Sequence, residues 1–289
     1  MSEGHLFLEA PRWHDGSLYA SDFFAKRVLR WDGDAPPKTV CEVSAMPSGL
    51  AWTAEDHLLV VSMLDRRLLR LEGDDLVEVA DLNTHAPWHC NDMVVDGAGR
   101  AYVGNFGWDE GSDPEIKSTV LLLVDPNGDV SVAAEDLVCP NGMAISPDGR
   151  VLFVSETFAA RVTAFDHAED GTLSNRRVWA SFVDEPPATL PEVLALDVIL
   201  PDGMALDAEG AIWLGDCRGS GTARVAEGGE VLDFISTGDH ATFAVALSDG
   251  ERPSLFLCTN VPYGKGDWTK EHKGAMRRCE VEVPGAGRV

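Results

Sequence analysis

Residues 140–166 read PNGMAISPDGRVLFVSETFAARVTAFD, and residues 201–225 read PDGMALDAEGAIWLGDCRGSGTARV. Both follow one plan. A short Pro-Asn/Asp-Gly segment leads into an apolar strand, a polar turn with Gly follows, and a second apolar strand ends on a small polar or acidic residue. Runs such as GMAI, VLFVS and RVTAF place β-branched and aromatic residues between Gly, Asp and Pro turns, which is the local pattern of short strands. Helical periodicity is nearly absent.

The same plan recurs on either side. It appears at residues 10–32 (APRWHDGSLYASDFFAKRVLRWD), at 47–72 (PSGLAWTAEDHLLVVSMLDRRLLRLE), and at 91–106 (NDMVVDGAGRAYVGNF) continuing into TVLLLVD at 119–125. A degenerate sixth copy, FAVALSDGERPSLFLCTN, starts at Phe243, with RRCEVEV near the C-terminus as its closing strand. The mean spacing, roughly 45 residues, is that of one four-stranded propeller blade. The chain is therefore expected to be all-β, a six-bladed β-propeller forming a single domain over residues 1–289. Pairing of an N-terminal strand near residues 6–8 with the last blade would close the ring and remove exposed sheet edges. Three inserts break the repeat, near residues 108–118, 184–200 and 261–274, and are candidate lid segments.

Composition narrows the partners. Hydrophobic residues make up 45% and charged residues 25%, enough for a normal core. With 48 Asp and Glu against 23 Lys and Arg, the formal net charge is −25, which disfavours binding to a phosphate backbone. The N-terminus MSEGHLFLEA lacks the basic and long apolar regions of a signal peptide, and no run approaches the ~20 apolar residues of a membrane helix. A cytoplasmic protein acting on a small molecule is the expectation, with no nucleic acid or membrane partner; oligomeric state is left open. The six cysteines form no C-x-x-C pair or zinc template and read as buried free thiols.

A propeller brings the starts of its innermost strands together around the central channel, so equivalent repeat positions become comparable. At that position stand Glu9, Ser48, Asn91, Asn141 and Asp202. Two carboxylates and two amides form a hard-oxygen set suited to one divalent metal ion, Ca²⁺ or Mg²⁺ first, with Mn²⁺ or Zn²⁺ tolerated. Asn-Gly and Asp-Gly are also common turn dipeptides. Glu9 is not a turn former, and its shared repeat position favours a site. Neither a G-x-S-x-G elbow nor an H-E-x-x-H pair occurs, which disfavours covalent serine chemistry and zincin-type hydrolysis. Glu156 and Asp216 end inner strands and could face either the channel or the surface.

These blades resemble the family of regucalcin (senescence marker protein), gluconolactonase and luciferin-regenerating enzyme nearly end to end. The resemblance is carried by Glu9, Pro11 and Trp13 with RVLRWD, by CNDMVVDGAGRAYVG, by PNGMAISPDGRVLFVSET and by PDGMALDAEGAIWLGD. It implies a metal held by Glu9, Asn141 and Asp202 and completed by water or substrate, Ca²⁺ foremost, with Asn91 as ligand or substrate contact. Two positions depart from the family pattern. Ala10 replaces its opening glycine, and His89 replaces the Arg that precedes the Asn in sugar-lactone members. A guanidinium fork suits polyhydroxylated ligands, so the expected substrate is less hydrophilic than gluconolactone.

Around the expected mouth stand Phe23, Phe24, Trp88, Phe106, Trp108, Phe158 and Trp268, of which about half should line an apolar pocket. Phe23, Phe106, Trp108, Arg218, His89 and Asn91 are the substrate-binding candidates. The expected activity is metal-dependent hydrolysis of a lactone through activated water, with Asp202 as base and His89 protonating the leaving alkoxide. Two rivals are non-hydrolytic Lewis-acid chemistry on the same scaffold and a calcium-binding scaffold without catalysis.

Overall fold

Each repeat unit supplies a four-stranded antiparallel meander. The computed structural model, which describes residues 1–250 and 252–287, arranges six such sheets as a β-propeller. The innermost strands are Leu8–His14, Pro47–Trp52, Cys90–Val95, Pro140–Ile145, Pro201–Leu206 and Ala241–Leu247. Each touches the innermost strands of both neighbouring blades, so the six encircle one axis.

The packing follows from strand alternation. Side chains on the two faces of a blade point at its neighbours, and one apolar cluster fills each interface. Leu59, Val61 and Leu68 of the second blade, for example, meet Met93, Val103 and Leu122 of the third. Trp213 of the fifth meets Leu255 and Leu257 of the sixth. A further cluster fills no blade interface. It gathers Phe7, Phe23, Trp108, Phe158 and Phe243 with half-buried aromatics at one mouth of the channel.

Ring closure departs from the sequence expectation in one detail. The pairing partner of the last blade is Ser2–His5, whose residues Ser2 and Glu3 lie opposite Met276 and Ala275 of the Gly274–Glu280 strand. Residues 6–8 instead carry the chain inward. The carbonyl of Leu6 accepts from Asn260 Nδ2 at 2.8 Å, Phe7 exchanges hydrogen bonds with Asp22 Oδ1 and Phe23 N, and Leu8 already belongs to the innermost strand. The N-terminal strand is displaced outward because Phe7 is anchored among the mouth aromatics.

The Asn141-Gly142 and Asp202-Gly203 dipeptides are not turns. Both lie inside innermost strands, next to a shift of register. Glycine follows the polar residue there because neighbouring strands touch. A Cβ on Gly142 would stand 2.5 Å from the Asp202 carbonyl oxygen, and one on Gly203 2.4 Å from Ala244 Cβ. Gly142→Ala is therefore expected to lower the unfolding free energy in urea by roughly 1–3 kcal/mol through overpacking. Gly210 has φ +83° and open space where a Cβ would go. Gly210→Ala should cost about 1–2 kcal/mol, from left-handed strain alone, and should leave the channel geometry intact.

Candidate functional site

The second residues of the innermost strands are Glu9, Ser48, Asn91, Asn141, Asp202 and Thr242, all buried, and four of them, Glu9, Asn91, Asn141 and Asp202, line one cavity. A break in register immediately follows this position in most blades, and such bulges re-aim a side chain. The candidate ligands Glu9, Asn141 and Asp202 are thus brought together with Asn91 at the floor of one cavity of about 650 Å³.

Their hydrogen bonding leaves the centre unsatisfied. Glu9 Oε2 accepts from Ala10 N at 2.8 Å, and Asn141 Nδ2 donates to Thr157 Oγ1 at 3.2 Å. Ser48 Oγ lies 3.2 Å from Asn91 Oδ1. Asp202 Oδ1 and Asn91 Nδ2 are buried without a partner. An orphaned carboxylate oxygen is costly unless an ion or water completes it.

The charges are equally unbalanced. Burial, reinforced by Asp92, pushes Glu9 up to about 8. Burial, then Glu9 and Asp92, drives Asp202 well above the usual carboxylate range, although Asn141 opposes the shift. Asp92 has its own cation, Arg12, whose Nη2 is 2.6 Å from Asp92 Oδ1. Among the described residues Glu9 and Asp202 form no ion pair, and Arg12 and the Ala10 N–H offset the rise of Glu9 only in part. The described residues contain no group of three or more His, Cys, Asp or Glu placed to hold a metal, so a cation here needs the two amides as well. Two acids, two amides and an orphaned oxygen are nevertheless the donor chemistry of a hard divalent cation, and the residues fit one.

The walls are apolar. Phe7 is the hub, with ring centroids 4.7 Å from both Phe243 and Trp268, 5.4 Å from Phe23 and 6.0 Å from Phe24. Trp88, Phe106, Phe158 and Tyr263 extend the lining. His89 also lines the cavity, stacked on Trp88 at 4.4 Å. Burial, helped by Arg66, lowers its pKa and keeps the imidazole neutral. No arginine or lysine lines the cavity among the described residues, while Asp109 and Glu110 do. Cys139 and Cys217 line it too, but burial raises both thiols well above their ordinary range and removes thiolate character.

Other candidates are placed elsewhere. Trp108 stands outside the lining, edge-on behind Phe158 at 5.8 Å, with its Nε1 donating to Asp113 O. Arg218 is also outside the lining and donates to the carbonyls of Leu194 and Tyr263. Asp216 Oδ1 accepts from the backbone of Leu200, Arg218 and Gly219 and so shapes the turn after its strand. Glu156 binds Arg161, Arg176, Thr163 and the Val138 N–H. Phe7, Phe243, Tyr263 and Glu110 were not singled out from sequence. Phe243 was findable there, since it holds the repeat position where Gly49, Gly142 and Gly203 stand in other blades.

Residues 7–260 match the family described as SMP-30/Gluconolactonase/LRE-like region. A pentonolactonase of Haloferax volcanii is 26% identical over 287 residues, covering 96% of this chain and 91% of its own length. A regucalcin of Danio rerio is 27% identical, covering 75% and 70%. Among solved structures, a gluconolactonase from Xanthomonas campestris superposes with a TM-score of 0.70 at 25% identity, covering 88% and 84%. A luciferin-regenerating enzyme shares the fold with a TM-score of 0.78 at 18% identity, covering 98% and 94%.

The reassigned Glu156 yields a pH prediction. Burial alone would raise its pKa, but the bonds from Arg161, Thr163 and Val138 outweigh it and hold the carboxyl below its ordinary 4.5. A depressed folded-state pKa stabilises the fold above the unfolded value and loses that contribution as pH falls through the folded one. Glu156→Gln should cost roughly 2–3 kcal/mol at pH 7 in urea unfolding. The difference from the parent protein should shrink as pH drops below 4.5.

Proposed function

We propose that this chain, which belongs to the SMP-30/gluconolactonase/LRE-like family, is a metal-dependent hydrolase of lactones whose ring carries an apolar substituent. The observation that supports it is the pairing of two buried acids that form no ion pair among the described residues, one with an orphaned oxygen, with a mainly aromatic wall. Glu9, Asn141 and Asp202 would hold one divalent cation, Ca²⁺ in the first instance. When bound there, the cation supplies polarisation of an ester carbonyl and a lowered pKa for water.

The chain's own residues divide the remaining work. With one Asp202 oxygen on the cation, the other would accept a proton from an attacking water as general base. Turning the Asn91 amide lets Nδ2 donate to Ser48 and directs Oδ1 to the centre, as ligand or substrate contact. His89 is neutral, so it would act as a relay. Its ring N–H passes to the departing alkoxide while its other ring nitrogen takes up a proton, and the proton that Asp202 removes from water leaves with the alcohol. The aromatic wall excludes bulk water and takes the substituent, with Phe23 and Phe106 among its contacts. His89 offers no guanidinium fork for sugar hydroxyls, which separates this pocket from one built for gluconolactone.

Elemental analysis and calorimetric titration of chelator-treated protein should give one divalent ion per chain. Asp202→Ala should abolish that binding and lower kcat/KM for an alkyl- or aryl-substituted γ-lactone by at least about 10³-fold. In the parent protein, chelation should remove activity and Ca²⁺ should restore it, with substituted lactones preferred over gluconolactone. A metal-free protein overturns the ligand set. Stoichiometric metal without hydrolysis of any lactone overturns the reaction and favours non-hydrolytic Lewis-acid chemistry.

A further inference from the structure

The inserted segments form a connected cap over the cavity, and its two joints differ. Residues 113–116 run alongside residues 188–190 through backbone bonds: Ile116 N donates to Ala188 O at 3.0 Å, and Leu190 N to Pro114 O at 2.8 Å. Between the second and third inserts the bond comes from one side chain. Arg218 Nη2 donates to Leu194 O at 2.6 Å, and Nη1 donates to Tyr263 O at 3.0 Å. Leu194 and Tyr263 both line the cavity, whereas Arg218 does not.

Each end of this brace has a physical reason. Leu194 lies in the last turn of the short helix Leu190–Ala195, where backbone carbonyls lack intrahelical donors and take side-chain ones instead. Tyr263 begins an irregular loop, anchored on the other side by its own N–H to Cys217 O at 2.8 Å. The base of Arg218 is fixed by the Asp216 carboxylate, which accepts the Arg218 and Gly219 N–H groups. A chain of hydrogen bonds therefore runs from the fifth blade through one guanidinium to both segments.

We propose that Arg218 is a positioning residue for substrate selection. By fixing the separation of Leu194 and Tyr263 it sets the width of the apolar wall, and the pocket discriminates lactones by the bulk of their apolar substituent. The substrate half of this inference rests on the hydrolase reading above; the brace itself does not. A planar fork with two separately directed donors spans two carbonyls, whereas the single ammonium of lysine replaces it only in part.

The test is hydrogen–deuterium exchange combined with kinetics on metal-loaded parent protein, Arg218→Ala and Arg218→Lys. Arg218→Ala should raise amide exchange about tenfold in residues 190–196 and 262–268 and leave the Pro201–Leu206 strand protected. KM for a γ-lactone with a bulky apolar substituent should rise about tenfold with kcat held within about twofold, while KM for unsubstituted γ-butyrolactone moves less than about twofold. Arg218→Lys should recover part of both changes. Unchanged exchange in either segment overturns the brace. Faster exchange with equal KM changes for bulky and small lactones leaves a merely structural arginine and overturns the selection role. If the parent protein hydrolyses no lactone, the hydrolase reading fails; exchange then still decides the brace, and dissociation constants of phenyl-substituted and plain γ-butyrolactam decide whether the wall selects by bulk.

Discussion

Six strands meeting side by side around one axis leave little room, and the chemistry of this protein follows from that crowding. The second residue lines the cavity in four of the strands. In three blades the third is pressed against the next strand, where Gly49, Gly142 and Gly203 admit no Cβ. Ala10 meets the same constraint differently, with φ +47° and its N–H donated to Glu9. Polar side chains at the second position are consequently buried and close together. Such an environment magnifies every uncompensated charge. The raised Glu9 and Asp202 carboxyls are the electrostatic expression of the ring's narrowness.

The sequence made the ring legible and its surroundings much less so. Repetition placed Glu9, Ser48, Asn91, Asn141 and Asp202 at one level because a propeller maps repeat position directly onto radius and height. The same letters were ambiguous locally, since Asn-Gly and Asp-Gly suit both a turn and a strand that must touch its neighbour. Only the blade-to-blade distances separate the two. Inserts have no period, so nothing in the order of residues said that Trp108 would turn behind Phe158 or that Arg218 would reach two carbonyls. Phe7 escaped notice for a related reason. It lies in the short link between the ring-closing strand and the first blade, and its role depends on where that link crosses the mouth. Assigning closure to residues 6–8 concealed it.

Floor and wall therefore have different origins. The floor comes from the innermost strands, each paired on its outer side only and broken in register beside the floor residue, and a substitution there is constrained by neighbouring blades. The wall comes from Phe7, from Phe23, Phe106, Phe158 and Phe243 within the repeats, and from inserted segments tied to the propeller by individual hydrogen bonds such as Tyr263 N to Cys217 O at 2.8 Å. A scaffold built this way can change what enters the cavity without disturbing the charged centre. Functional variety on a shared fold commonly resides in loops held by a rigid frame. The stacked Trp88–His89 pair fits that division, because it stands at the rim just before the Cys90–Val95 strand begins.

The final blade is completed by Ser2–His5 lying against Gly274–Glu280. That arrangement has a consequence during synthesis. Ser2–His5 leaves a ribosome long before residue 280 emerges, so this strand waits for a partner made much later. Five blades can assemble on the nascent chain, but the sixth must recruit its outer strand from before the first blade. Until then the Gly274–Glu280 strand presents a bare edge, open to strands from other chains. A peptide tag or fusion partner placed directly before Ser2 would act on that step, and its penalty would fall on the yield of correctly closed rings before any effect on the finished protein.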